Sequence, residues 1–139
     1  MSDLLYWLTL TTLMTALLWV LYTVERILRV GLISAVGYAK TSGTAGFSQP
    51  DETPPRWAAR AQSAHQNGVE NLVIFAALAL GAQADGIAEA VAAAAMVYFF
   101  DRLAYFLCYL VGIPLLRTVA FFAGPGAQLS IAFALLGAA

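Results

Sequence analysis

Two short polar tracts interrupt a strongly apolar chain, and both carry residue types that can bind or activate a ligand. The first, RAQSAHQNGVENL at residues 60–72, holds Arg60, Ser63, His65, Asn67, Glu70 and Asn71. The second, RLAYFLCY at 102–109, holds Arg102, Tyr105 and Tyr109, and RTVAFFAG follows with Arg117 at its head. Guanidinium, carboxylate, carboxamide and phenol groups together suit a polar or anionic ligand held by charge and hydrogen bonds. They do not suit a metal. The chain has one cysteine, Cys108, and one histidine, His65, which argues against a structural zinc site within one chain and excludes a bis-histidine haem. No metal cofactor is expected.

The polar residues have a geometry. On a wheel at about 100° per residue, Arg60, Ser63, Asn67, Glu70 and Asn71 fall within roughly a 100° arc, with His65, Gln62 and Gln66 off it. Tyr98, Arg102, Tyr105 and Tyr109 fall within roughly a 60° arc on a second helix. The simplest assembly brings the two stripes together at a polar cleft. The plainer reading is that buried Glu, Arg and Asn only hold helices together. That reading weighs equally for Glu70, Asn67 and Arg102 taken singly, and less for the cluster. Tyr98 reads as a packing aromatic, Cys108 as a small apolar filler, and Arg26, Arg29 and Arg56 as interfacial side chains reaching for water.

The elements that must position these groups are membrane helices. Hydrophobic residues make up 61% of the 139 residues and charged ones 11%, against about 25% charged in ordinary soluble proteins. A net charge of −1 gives no reason to expect nucleic acid. Leu4–Val24, Val69–Ala84, Ile87–Val111 and Thr118–Ala139 are apolar stretches, each able to supply the ~20 residues that cross a ~30 Å hydrocarbon layer. The second does so only if its helix begins near Trp57. The first has no basic leader and is too long for the core of a signal peptide. The expected fold is an all-α membrane protein, one domain over 1–139, with four transmembrane helices in up-down order at about 4–38, 57–84, 87–111 and 115–137.

Punctuation agrees with this division. Lys40–Arg56 has the Gly, Ser and Pro content of an exposed connection, Pro54–Pro55 starts the second helix, and Gly112-Ile113-Pro114 ends the third. Gly124-Pro125-Gly126 is expected to kink the fourth. All seven bases lie in the first and third connections or at their edges. The positive-inside rule makes those connections cytoplasmic and puts both termini on the opposite, periplasmic side.

Residues 64–71, AHQNGVEN, read as A-H-x-N-x-x-E-N, resemble the signature of the MAPEG family, the membrane-associated proteins in eicosanoid and glutathione metabolism. R-x-x-Y-x-x-x-Y at Arg102, Tyr105 and Tyr109, then RTVAFFAG at 117–124, is a second match, and the resemblance covers essentially the whole chain. It implies a homotrimer that binds glutathione as co-substrate between subunits near the cytoplasmic face. Asn67, Glu70 and Asn71 would hold its polar groups, His65 would add contacts, and Arg102, Tyr105 and Tyr109 would complete the pocket from the adjacent subunit. Arg117 resembles the arginine that stabilises the thiolate in catalytic members, with Tyr109 as a second donor, and Arg26 resembles a pocket-lining base at the end of the first helix. Where the family commonly has arginine before Ala64, this chain has Ser63, and Arg60 one helical turn earlier is the candidate substitute.

The function implied is a glutathione-dependent membrane transferase or peroxidase acting on hydrophobic electrophiles or lipid hydroperoxides, in a bacterial inner membrane among its lipids. The alternative is a non-catalytic lipid- or ligand-binding member of the same family. A four-helix exporter is disfavoured, because Leu4–Val24 carries none of the carboxylates such a transporter places in its first helix.

Overall fold

A computed structural model describes residues 1–32, 53–112 and 114–138, with residues 114–121 described by backbone alone. Among these lie four helices: α1 (Asp3–Val30), α2 (Arg56–Ala84), α3 (Ala88–Val111) and α4 (Pro114–Ala138). Most of the polar connection expected at Lys40–Arg56, and most of the expected extension of the first helix toward residue 38, lie outside the described residues. What is described ends α1 at Val30. Gly31 takes φ 82° and its N–H donates to the Ile27 carbonyl at 2.9 Å.

Helix α1 accommodates its threonines by turning them onto its own backbone. Thr9, Thr11 and Thr12 donate to the carbonyls of Leu5, Trp7 and Leu8 at 2.7, 2.8 and 2.8 Å, so these three hydroxyls need no water. Ser2 caps its start by accepting from the Leu5 N–H at 3.4 Å, and the same hydroxyl donates to Gln83 at the far end of α2.

Helix α2 begins directly after Pro54–Pro55 and buries a face of mostly small residues: Ala58, Ala61, Ala64, Ala79 and Ala82, with Phe75. Small residues let helix backbones approach closely without a hydrophobic driving force between them. Gly68 shows the consequence, since a Cβ built there would stand 4.0 Å from the Thr15 methyl of α1. The turn to α3 passes through Gly86 at φ 79°, and α3 ends on Gly112 at φ 86°, whose N–H returns to the Cys108 carbonyl at 2.9 Å. Both glycines occupy a region of backbone space that other residues enter only with strain.

Helices α2 and α3 form the centre of the bundle. Each packs on the other and on both α1 and α4, while α1 and α4 do not meet among the described residues. The main core draws on all four helices through Leu4, Phe75, Ala79, Val91, Ala95, Tyr98, Ala127 and Ile131. Phe75 and Tyr98 stack at its heart, with ring centroids 4.0 Å apart. A second core joins Ala61 and Ala64 of α2 to Tyr105 and Phe106 of α3.

The exterior is apolar on every helix. Leu13, Leu17, Leu28, Val73, Ile74, Val97, Phe100, Leu107, Phe122 and Phe133 are all exposed, far more than a water-facing surface carries as scattered residues. By length and hydropathy together, α1 and α3 each suffice to cross a membrane. Helix α2 is diluted by its polar first half, and the described apolar part of α4, Phe122–Ala138, is shorter. Helix α4 continues through Pro125.

Candidate functional site

The polar stripes of α2 and α3 meet at Asn67 and Arg102. Arg102 lies in the interior, 5% exposed, and each nitrogen of its guanidinium donates a hydrogen bond. Nε and Nη2 reach Asp101 Oδ2 at 2.9 and 2.6 Å, and Nη1 reaches Asn67 Oδ1 at 3.3 Å. The faces of the guanidinium are covered by Tyr98 and Tyr105, whose ring centroids lie 5.6 and 5.1 Å from Cζ. A buried guanidinium is tolerable only when paired and stacked in this way. Asp101 supplies the countercharge, with its side chain 4% exposed.

Helix α4 closes over this pair with glycine. A Cβ on Gly124 would fall 2.6 Å from Asp101 Oδ2 and 2.8 Å from Arg102 Cζ, so the ion pair occupies the volume a side chain would need. Two residues on, Gly126 would meet nothing within 4 Å among the described residues. Gln128, also buried, donates to the Asn71 backbone carbonyl at 2.9 Å, and Asn71 Nδ2 donates to the Asn67 carbonyl at 2.9 Å. The result is a polar network running from Gln128 on α4, through Asn71 and Asn67 on α2, to Arg102 and Asp101 on α3.

The remaining candidates take different positions. Glu70 does not reach Arg102. It is exposed and accepts from Gln66 Nε2 at 3.1 Å, one turn away on its own helix. Ser63 is also exposed and donates to the Ala59 carbonyl at 3.1 Å, which turns its lone pairs outward. His65 points to α1: its Nδ1 and the Tyr22 hydroxyl share a hydrogen bond of 2.8 Å, with the rings 5.8 Å apart. Arg60 closes the end of α3, Nη2 donating to the Leu110 carbonyl at 3.0 Å with its guanidinium against Gly112. A cation at a helix C-terminus meets both the orphan carbonyls and the negative end of the dipole. Tyr105 is buried and Tyr109 half-buried, their rings 5.5 Å apart. Arg26 is half-buried near the end of α1, beside the Arg29–Glu25 pair at 2.7 Å. The Arg117 side chain lies outside the described residues.

Three participants escaped the sequence reading. Asp101 was visible as an acid inside an apolar run, but neighbours one residue apart on a helix point to different faces, and only the reach of the arginine side chain brings the two together. Gln128 was visible as the one amide in the uncharged stretch Thr118–Ala139. Gly124 read as part of a kink signal, whereas in the structure it admits the ion pair. Among the described residues no group of His, Cys, Asp and Glu is placed to hold a metal.

A largely apolar exterior around a bundle that buries Asp101, Arg102 and Gln128 in one polar network marks an integral membrane protein. A model of the MAPEG family matches residues 4–137, nearly the whole chain. The chain belongs to the MAPEG family, and its function lies in the membrane chemistry of glutathione and eicosanoid metabolism with which that family is associated. Comparison with curated proteins finds no match.

Proposed function

We propose that the protein is a glutathione-dependent membrane transferase or peroxidase, built as an up-down bundle of four spanning helices and active as a homotrimer. The observation that carries this reading is the outward face of α2. Glu70 and Ser63 are exposed there, next to the half-buried amides of Asn67 and Asn71, on a helix whose other exposed residues include Val69, Val73 and Ile74. An ionised carboxylate at the centre of a membrane helix costs about 2.5–3.5 kcal/mol on insertion scales. Glu70 therefore faces water, a ligand or another copy of the chain, and a polar tripeptide between protomers would supply the second and third of these together.

The residues fit such a ligand. Glu70 and the Asn71 side-chain oxygen accept hydrogen bonds, which suits an ammonium group. Asn67 Nδ2 has no acceptor among the described residues and suits a carboxylate. Tyr105 and Tyr109 would add hydroxyls, whereas His65 is turned to Tyr22 on α1.

Chemistry requires a thiolate. A free thiol has a pKa near ~8.5 and the thiolate is the nucleophile. Lowering that value by about two units takes ~2.7 kcal/mol of preference for the charged form. One guanidinium ~4 Å away at an effective dielectric near ~20 offers about 4 kcal/mol. Arg117 alone can meet the requirement, with Tyr109 as a second donor. Attack on an apolar electrophile gives a conjugate. Attack on a hydroperoxide oxygen breaks the O–O bond and gives an alcohol and the sulfenic acid of glutathione, which a second glutathione converts to the disulfide with release of water.

The test is titration of the purified protein with glutathione while thiolate ultraviolet absorbance is followed, in wild type and Arg117→Ala. Thiolate formation lost in the variant, with fold and oligomer intact, supports the enzyme. Binding without thiolate formation in wild type would make the protein a non-catalytic ligand binder of the same family.

A further inference from the structure

We infer that Asp101 and Arg102 are positioning residues that fix which end of the Asn67 carboxamide faces the ligand. An arginine side chain has five N–H donors and no acceptor. Whatever Asn67 atom stands 3.3 Å from Arg102 Nη1 must therefore be the amide oxygen, Oδ1. That choice turns Nδ2 the other way, toward the half-open side of Asn67, where no described group accepts from it.

Arg102 in turn cannot swing. Its Nε and Nη2 are both held on Asp101 Oδ2, its faces are covered by two tyrosine rings, and the Gly124 backbone closes the space behind the pair. The chain of control runs from Asp101 to Arg102 to the Asn67 amide. It gives Asn67 the character of a donor only, so the group it recognises is a hydrogen-bond acceptor, of the carboxylate or carbonyl class.

The same pairing has a second effect. With Asp101 beside it, the guanidinium contributes a neutral pair to the site instead of a free positive charge. The attraction of an anionic ligand then falls on bases elsewhere. Arg102 is thereby a residue that acts on the ligand through Asn67, where the family resemblance implies a pocket contact. This inference rests on the glutathione reading for the identity of the ligand, but not for the orientation of the amide.

Charge transplantation tests it. Asp101→Asn leaves the buried guanidinium without a countercharge and lowers the melting temperature of the detergent-solubilised protein by several degrees. Adding Asn67→Asp supplies a carboxylate to the same guanidinium, at the Nη1 side, and restores at least half of the loss. Asn67→Asp by itself keeps the contact to Arg102 and folds, yet presents a carboxylate oxygen where the wild type presents an N–H. It raises the KM for glutathione by about tenfold or more, with kcat changed by less than about threefold.

The double variant keeps the raised KM despite its recovered stability, a separation that a merely structural role would not produce. An unchanged KM in Asn67→Asp, or no stability rescue in the double variant, overturns the inference. Calorimetric titration of the wild type with glutathione separates the two claims. Absence of binding removes the glutathione reading, and the amide orientation then stands or falls on the melting-temperature rescue.

Discussion

Gly124→Ala is the substitution at which the structure is most exposed to refutation. The added Cβ would stand 2.6 Å from Asp101 Oδ2 and 2.8 Å from Arg102 Cζ, with Arg102 Nη2 also in contact. Cβ atoms in real structures essentially never approach another heavy atom more closely than 3.0 Å, so something must give. The obstacle is not the loose end of a side chain. Both partners are 4% exposed, and the guanidinium is tied by three hydrogen bonds. Overpacking of this kind costs about 1–3 kcal/mol, and parting a buried ion pair raises the cost toward 3–5 kcal/mol. Replacing a helical glycine with alanine returns about 1 kcal/mol. The net loss is about 2–4 kcal/mol, equivalent to a fall of roughly 5–15 °C in melting temperature for a chain of this size. Gly126→Ala, two residues on and with nothing within 4 Å among the described residues, gains the helix propensity without the clash and is neutral or more stable by up to ~1 kcal/mol. Thermal unfolding of the two variants and wild type in one detergent reads the difference directly. A Gly124→Ala protein as stable as wild type, or equal losses at both positions, would show that α4 does not close on the ion pair.

Tyr22→Phe removes the hydroxyl that meets His65 Nδ1 at 2.8 Å and lowers stability by about 0.5–1.5 kcal/mol; an unchanged melting temperature would take that pair out of the α1–α2 interface. Arg60→Ala removes the donor to the Leu110 carbonyl and destabilises by about 2 kcal/mol. Amide hydrogen exchange accelerates in the last turn of α3, and protection equal to wild type there would refute the capping role. Arg117→Ala abolishes turnover of a generic electrophile with glutathione while size-exclusion behaviour and melting temperature persist; full turnover by that variant would remove Arg117 from the mechanism.

What the sequence made legible follows from the range of each interaction. Apolar stretches of membrane-spanning length and their punctuation by Pro54–Pro55, Gly86 and Gly112 are local features, and they mark out the helices. The 3.6-residue period places Asn67 and Arg102 on facing stripes, and the structure joins them at 3.3 Å. The same period puts His65 off the α2 stripe, and the structure turns it to Tyr22 on α1.

A helical wheel gives the direction of each Cα–Cβ bond and nothing of the side chain beyond it. Arg102 has the length to curl back onto Asp101, its immediate neighbour, which no wheel predicts. Glu70 shares the arc of Asn67, but its stripe is wider than the contact with α3, so one edge of it is half-buried and the other, with Ser63, faces outward. Gly124 could not be assigned from sequence at all, because its lack of a side chain matters only once Asp101 and Arg102 lie opposite it.

The distribution of charge is the argument for the proposed site over mere adhesion. Had Glu70 been sealed against Arg102 inside one protomer, each would neutralise the other and neither charge would remain for a ligand. Instead Asp101 neutralises Arg102 on the same helix, and the countercharge that Glu70 would otherwise have supplied is not needed. Glu70 is left exposed on a face where Val69, Val73 and Ile74 are exposed as well, an arrangement that adhesion within the protomer does not explain. A carboxylate so placed is stable only beside water, a bound cationic group or another copy of the chain. The ion pair at the centre of the bundle is what frees the acid at its surface to act on something else.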